Sequence, residues 1–288
     1  MKVDFFIVGA PKAGTTSLYH YLNEHPQVEM SSQKEPDYFS NKAIHEQGMY
    51  YGKNRINTLV KYESLFVQSE RVIYGEASVS YLFYDNVAED IKKYNTNAKI
   101  IIMLRNPIER AFSHYLMDYR LGLISDSFEN VIAKKSNHKN AHLFHQQYIE
   151  VSKYAKQIQR YLDFFEKKNI LFIDYEDFKK NGSRTVGQVY DFLNISTEFT
   201  ADANTKYNTF IMPKNKVIRF IYSFVFLRKT LTFLFPIYLA KNIRAFLFKA
   251  DKKPELLKET RSQLRIIFND DIKKLEEVLG KDYSQWIK

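Results

Sequence analysis

Three groups of residues in this chain have types and spacing that could do chemistry. The first is the run Gly9-Ala10-Pro11-Lys12-Ala13-Gly14-Thr15-Thr16-Ser17. Its glycines let the backbone approach an anion closely. The amides from Gly14 to Ser17 open a helix, whose N-terminal donors and dipole favour negative charge by about 0.3–1 kcal/mol. Hydroxyls at Thr15, Thr16 and Ser17 add donors, and Lys12 sets a cation inside the loop. A kinase-type phosphate loop carries lysine directly after its second glycine. Here Thr15 follows Gly14 and the lysine stands two residues before it, which argues against an ATPase or kinase. The second group is Arg105, at the carboxyl end of the apolar run Ala98–Leu104, with Arg110 and Ser113 three residues apart beyond it. A planar guanidinium at a strand's carboxyl end suits bidentate phosphate binding. The third is Glu35, within Gln33-Lys34-Glu35-Pro36-Asp37-Tyr38-Phe39-Ser40. It has two readings, a proton acceptor or a solvated loop charge paired with Lys34.

These groups need a scaffold. Val3–Val8 reads as a buried strand that runs into the glycine loop and then into a helix with apolar residues at helical spacing. Arg71–Tyr74, Ala98–Leu104 and Ile170–Asp174 read as further strands, with a crossover helix at Val87–Tyr94. Pro107 suits a first helical turn and opens a helix to about Leu121. Phe144–Phe165 reads as one long amphipathic helix, and Thr185–Leu193 as another after an acidic turn. The closing segment Pro254–Leu279 places Leu256, Leu257, Leu264, Ile267, Phe268, Ile272, Leu275 and Leu279 on or near one face. The alternation predicts an α/β fold: P-loop-like, three layers, with a central mainly parallel sheet of about four to five strands flanked by helices.

With 288 residues and 45% hydrophobic content, the chain can build one large domain over residues 1–288. It has no cysteine, which excludes disulfides, thiolate catalysis and cysteine-bound metals. The seven histidines show no metal-ligand spacing, so no catalytic metal is expected. The first residues lack the long apolar run of a secretory signal, and a cytoplasmic location is expected. The net charge of +10 is concentrated: Ala203–Ala250 contains no Asp or Glu. Within it, 217–248 mixes large apolar residues with cations, and its longest uncharged run, Thr230–Ala240, is too short to span a bilayer. The expectation for 214–250 is a basic aromatic helical appendage, either a lid or a peripheral contact with an anionic inner-membrane surface. No nucleic-acid motif accompanies it.

FFIVGAPKAGTTSLYHYLNEHPQV, followed by IIIMLRNPIERAFSHY, resembles the two nucleotide motifs of sulfotransferases that use the donor PAPS (3′-phosphoadenosine 5′-phosphosulfate). The likeness is closest to the carbohydrate branch, which includes heparan sulfate sulfotransferases and bacterial relatives. It implies that Lys12, Ala13, Gly14, Thr15, Thr16 and Ser17 hold the 5′-phosphosulfate. Arg105 and Ser113 would hold the 3′-phosphate, and Lys214 and Lys216 would reach the nucleotide. The segment around Glu35 is similar to that family's KEPHFF-like stretch, which makes Glu35 the general base and Lys12 the group that stabilises the leaving oxygen. Two departures stand on the acceptor side. Asp37 replaces a common histidine, and Ala77 replaces a lysine found in some relatives. Glu76 is then either a second acceptor-side carboxylate or structural support. Arg110 could serve either the phosphate or the fold. His114, turned about 100° from Ser113 on a helix, is expected to be structural. The implied activity is transfer of a sulfuryl group from PAPS to a carbohydrate or glycolipid, with PAP as product. A non-catalytic PAP-binding protein at the membrane is the reading from another class.

Overall fold

The apolar run at the N-terminus becomes the central strand. β1 (Phe5–Gly9) is buried along its whole length and pairs in parallel on both sides. The computed structural model describes residues 2–48, 56–67, 73–202 and 254–288, with two strand pieces at 212–213 and 248–249. After β1 come α1 (Thr15–Glu24), β2 (Val28–Met30), α2 (Asn41–Glu46), α3 (Leu59–Glu63), β3 (Ile73–Ala77), α4 (Val87–Tyr94), β4 (Lys99–Leu104) and α5 (Pro107–Arg120). Then follow α6 (Phe128–Ile132), α7 (Ala141–Tyr148), α8 (Ala155–Phe164), β5 (Ile170–Asp174), α9 (Tyr175–Lys180), α10 (Gly182–Leu193) and a long α11 (Lys258–Leu279). The strand order is β2-β3-β1-β4-β5, all parallel, with helices over the sheet. Residues 212–213 and 248–249 form a separate antiparallel pair, β6 and β7.

Parallel sheets need cover on both faces, which is why their strands are continuously apolar. Ile100 to Leu104 obeys this with every residue buried. Glu76 breaks it: it faces Phe6 in the register and is fully buried. Its neighbour Gly75 answers to packing, because a Cβ there would meet the Phe5 ring at 2.1 Å. β1 lies between β3 and β4, so the loops leaving β1 and β4 emerge side by side, the usual crevice for a ligand of an open α/β sheet.

Three expectations change. Phe144–Phe165 is not one helix. α7 stops at Tyr148, a short 3-10 turn covers Glu150–Ser152, and α8 begins at Ala155. Distant residues impose the break: Arg110 takes the carbonyls of Gln147 and Tyr148, while the Asp271 carboxylate accepts the amides of Tyr154 (2.7 Å) and Ala155 (3.3 Å), capping α8 from α11. The acidic turn after β5 is helical, as α9. The closing helix starts at Lys258 rather than Pro254, and its buried stripe is Leu264, Phe268, Ile272 and Leu275, with Leu257 and Ile267 exposed. Among the described residues, no helix is long and apolar enough to cross a membrane.

Candidate active site

The crevice is built from the loops after β1 and β4. As β1 ends, its register shifts between Ile7 and Gly9, and the Ala10 amide bonds to the Met103 carbonyl at 2.7 Å. A Cβ on Gly9 would meet that of Leu82 at 2.8 Å, so close packing demands glycine there. The chain then turns through two left-handed residues, Lys12 (φ 69°) and Gly14 (φ 92°), into α1. Gly14 makes no side-chain cap, which leaves the first amides of α1 to an external acceptor. Thr15 is buried, while Thr16 and Ser17 are partly exposed, and Ala13 packs into the core.

Lys12 points along α5, with Nζ 3.5 Å from Met117 Sδ. Its pKa is lowered to about 8, chiefly by burial. The charges of Arg120 and Arg105 act in the same direction within that value, while Asp118 and Glu35 oppose them. Asp118 is itself buried and accepts the Tyr148 hydroxyl at 2.9 Å. The pocket therefore holds more positive charge than its own carboxylates balance, and an anion would relieve that.

Arg105 closes the other end. Its Nη1 donates to the Lys12 carbonyl at 2.9 Å, its guanidinium lies 4.5 Å over the Tyr175 ring, and its own carbonyl accepts the Tyr154 hydroxyl. Its Nε is buried and has no partner among the described residues. An orphaned charged donor of this kind is costly unless an acceptor arrives, and a phosphate oxygen fits it. Ser113 stands on α5, partly exposed.

Arg110 is placed elsewhere. It is fully buried, with Nε on the Ser152 hydroxyl (2.6 Å), Nη1 against His114 Nδ1 (3.2 Å) and Nη2 on the carbonyls of Gln147 and Tyr148. It serves the α5–α7 junction and not a phosphate. His114 is buried beside it, and burial with the Arg110 charge holds its pKa well below the usual value. Arg110→Met is expected to lower unfolding free energy by roughly 3 kcal/mol or more, because several buried acceptors lose their donor at about 1–3 kcal/mol each. Denaturant titration measures this loss.

On the acceptor side, Glu35 has left-handed backbone (φ 60°), and its amide donates to the Ala77 carbonyl at 2.9 Å. Its side chain is 45% exposed and meets Lys34 Nζ at 2.5 Å. It thus combines the ion pair of the plainer reading with a fixed place at the end of β3. Glu76 is not exposed at all and cannot touch an acceptor. Burial, with the charge of Asp37, raises its pKa to about 7, against the hydrogen bonds of Ser78 and Tyr62. Lys214, Lys216 and nearly all of the basic aromatic stretch 217–248 lie outside the described residues. Sequence reasoning missed Tyr175 and Met117, which meet Arg105 and Lys12 through contacts distant in the chain, and Asp118 and Arg120, whose charges act on Lys12. A cleft of about 830 Å³ lined by Tyr84, Asp85, His142, His145, Lys156 and Arg160, among others, includes neither Lys12 nor Arg105.

Comparison with known proteins agrees with this geometry. The family described as Sulfotransferase domain matches residues 2–233. Human carbohydrate sulfotransferase 15 is 28% identical over 243 residues, covering 66% of this chain and 43% of the relative. Human heparan sulfate glucosamine 3-O-sulfotransferase 3B1 is 24% identical over 197 residues, covering 67% and 46%. The chain thus spans less than half the length of these curated relatives. A crystal structure of a sulfotransferase from Alicyclobacillus acidocaldarius superposes with a TM-score of 0.71 at 27% identity, covering 100% of both chains.

Proposed function

The chain belongs to the sulfotransferase family, and on that premise we propose that it transfers the sulfuryl group of PAPS to a hydroxyl or amine of a carbohydrate or glycolipid acceptor, releasing PAP. The observation that carries the reading is the cationic crevice whose two ends are Lys12 and Arg105, joined by the bond from the guanidinium to the Lys12 carbonyl. The uncapped start of α1 and Lys12 take the 5′-phosphosulfate. The unmet Nε of Arg105, with Ser113, takes the 3′-phosphate that separates PAPS from ordinary adenine nucleotides. Bound PAPS supplies an activated sulfuryl group with PAP as leaving group. Lys12 holds positive charge beside the bridging oxygen as negative charge develops there. Glu35 removes the acceptor proton as the acceptor oxygen or nitrogen attacks sulfur.

Sulfur-35-labelled PAPS offered with chondroitin sulfate, heparan sulfate and a bacterial glycolipid fraction tests the proposal. Label is expected on one of these polymers or lipids with PAP released in equal amount. Tight PAP binding without transfer to any of them would instead support the non-catalytic nucleotide-binding reading. Arg105→Ala is expected to weaken PAP binding by about 2 kcal/mol or more, roughly thirty-fold in Kd, because it strands a phosphate in a site built for a charged donor.

A further inference from the structure

Behind the loop that carries Glu35 runs a buried chain of hydrogen bonds that the proposed transfer does not use. One Glu76 oxygen accepts the Tyr62 hydroxyl at 2.7 Å and the other accepts the Ser78 hydroxyl at 2.5 Å. The Ser78 oxygen accepts the backbone amide of Asp37 at 3.0 Å. The Tyr81 hydroxyl, which also lies against Glu76, accepts the amide of Phe39 at 3.3 Å. The Asp37 carboxylate accepts the Ser80 hydroxyl at 2.6 Å. Glu35 and Asp37 both have left-handed backbone, at φ 60° and 51°, a conformation that side-chain-bearing residues rarely adopt without outside support. The support comes from β3 and the turn after it: Ala77 holds the Glu35 amide, Ser78 the Asp37 amide and Tyr81 the Phe39 amide.

We propose that Glu76 is a positioning residue for the acceptor-side base: acting through Ser78 and Tyr81 it clamps residues 35–39, and the clamp loosens when Glu76 takes up a proton. The inference rests on the reading of Glu35 as that base. Its physical basis is the count of hydrogens. A hydroxyl has one proton and two lone pairs, and a carboxylate accepts only. With Glu76 ionised, Ser78 spends its proton on the carboxylate and keeps lone pairs for the Asp37 amide. A protonated Glu76 brings an O–H of its own, and the acceptors beside it are those same hydroxyls. If it donates to Ser78, the Ser78 proton must turn away from the carboxyl and the lone pairs that accept the Asp37 amide turn with it. Donation to Tyr81 does the same beside the Phe39 amide, and the charge-assisted bonds that fixed both hydroxyls, about twice as strong as neutral ones, are lost. The groups facing Glu76 are Tyr62 from α3, Tyr81 from the turn after β3, Tyr94 from α4, Tyr161 from α8 and Asp37 from the loop, and none of these is a cation. Burial and the Asp37 charge bring the change of protonation to about pH 7.

Amide hydrogen exchange followed by mass spectrometry reads the clamp without any acceptor. In the full chain, the peptide covering 31–40 is compared at about pH 6 and about pH 8 after correction for intrinsic exchange. Loss of one such bond corresponds to roughly ten-fold in protection. Wild type is expected to lose about that factor at the lower pH, Ser78→Ala to exchange fast at both, and Glu76→Gln to show no pH dependence. Equal protection at both pH values in wild type, or unchanged protection in Ser78→Ala, overturns the proposal. Should Glu76→Gln fail to fold, Ser78→Ala alone decides. PAP binding by calorimetry should be unchanged in both variants, and kcat rather than the donor KM should fall wherever an acceptor is turned over. Absence of transfer to every glycan offered would count against the proposed function, while the exchange result would still decide the clamp.

Discussion

Glu35→Gln is expected to reduce kcat for sulfuryl transfer by roughly 10²–10⁴-fold, the usual contribution of a positioned base. The substitution is nearly isosteric and leaves the bond from the residue 35 amide to the Ala77 carbonyl in place, so the loop keeps its geometry. It also removes the ion pair with Lys34, but a pair this exposed is worth about 0–1 kcal/mol and cannot account for such a loss. Initial rates with labelled PAPS, set beside calorimetric titration of PAP, separate the two ends of the site: turnover should collapse while PAP affinity holds. Near-full turnover with normal PAP binding would remove Glu35 from the mechanism.

The second large effect is at Lys12. Lys12→Ala is expected to cost about 10²–10³-fold in kcat, as for other groups that stabilise charge on a reacting oxygen. Unlike the change at Glu35, it should also weaken PAP binding, because the cation faces the phosphate in the ground state as well. The pH dependence has a definite sign. The pKa of Lys12 in the folded protein, about 8, lies below the 10.5 of an ordinary lysine. An anion favours the protonated form, so PAP affinity is full below about pH 8 and declines as pH rises through it. Folding stability without ligand runs the other way. Between about pH 8 and 10.5 the unfolded chain holds a proton at Lys12 that the folded chain has shed, so Lys12 contributes a rise in stability with pH across that window, while the buried tyrosines, with raised pKa values, oppose it above about pH 10. Calorimetric PAP titrations and denaturant melts over this range test both slopes, and the difference between wild type and Lys12→Ala isolates the part that Lys12 contributes. A flat PAP affinity profile in wild type would mean that Lys12 does not face the anion.

Much of the scaffold was legible because its signals are local. The uninterrupted apolar runs at Phe5–Val8 and Ile100–Leu104 read as strands buried on both faces, Ile170–Ile173 as a strand that proves to be a partly covered sheet edge, and Pro107 marks the start of α5 to the residue. The glycine loop is likewise read from adjacent residues. What escaped depends on partners far away in the chain. β2 is three residues long, too short for any period to show. The break between α7 and α8 is enforced by Arg110 and Asp271, and nothing within Phe144–Phe165 announces it. Tyr175 reaches Arg105 because β5 lies beside β4, a fact of sheet order. The burial of Glu76 was equally hidden. A glutamate at a strand end looks like a surface charge until Tyr62, from a helix well before it, is seen donating to it. The readings of Glu76 and Arg110 stayed double in sequence for this reason, and burial resolves both toward the interior.

The bond from Arg105 to the Lys12 carbonyl ties the two ends of the crevice together. On the proposed assignment, the group that recognises the 3′-phosphate also holds the loop that carries the reacting end. A nucleotide lacking that phosphate leaves the Arg105 Nε unmet, and the guanidinium that tethers the reacting loop is then held by Tyr175 and the Lys12 carbonyl alone. Discrimination against the wrong donor would thus be exerted twice, at entry and again at turnover, by a single side chain.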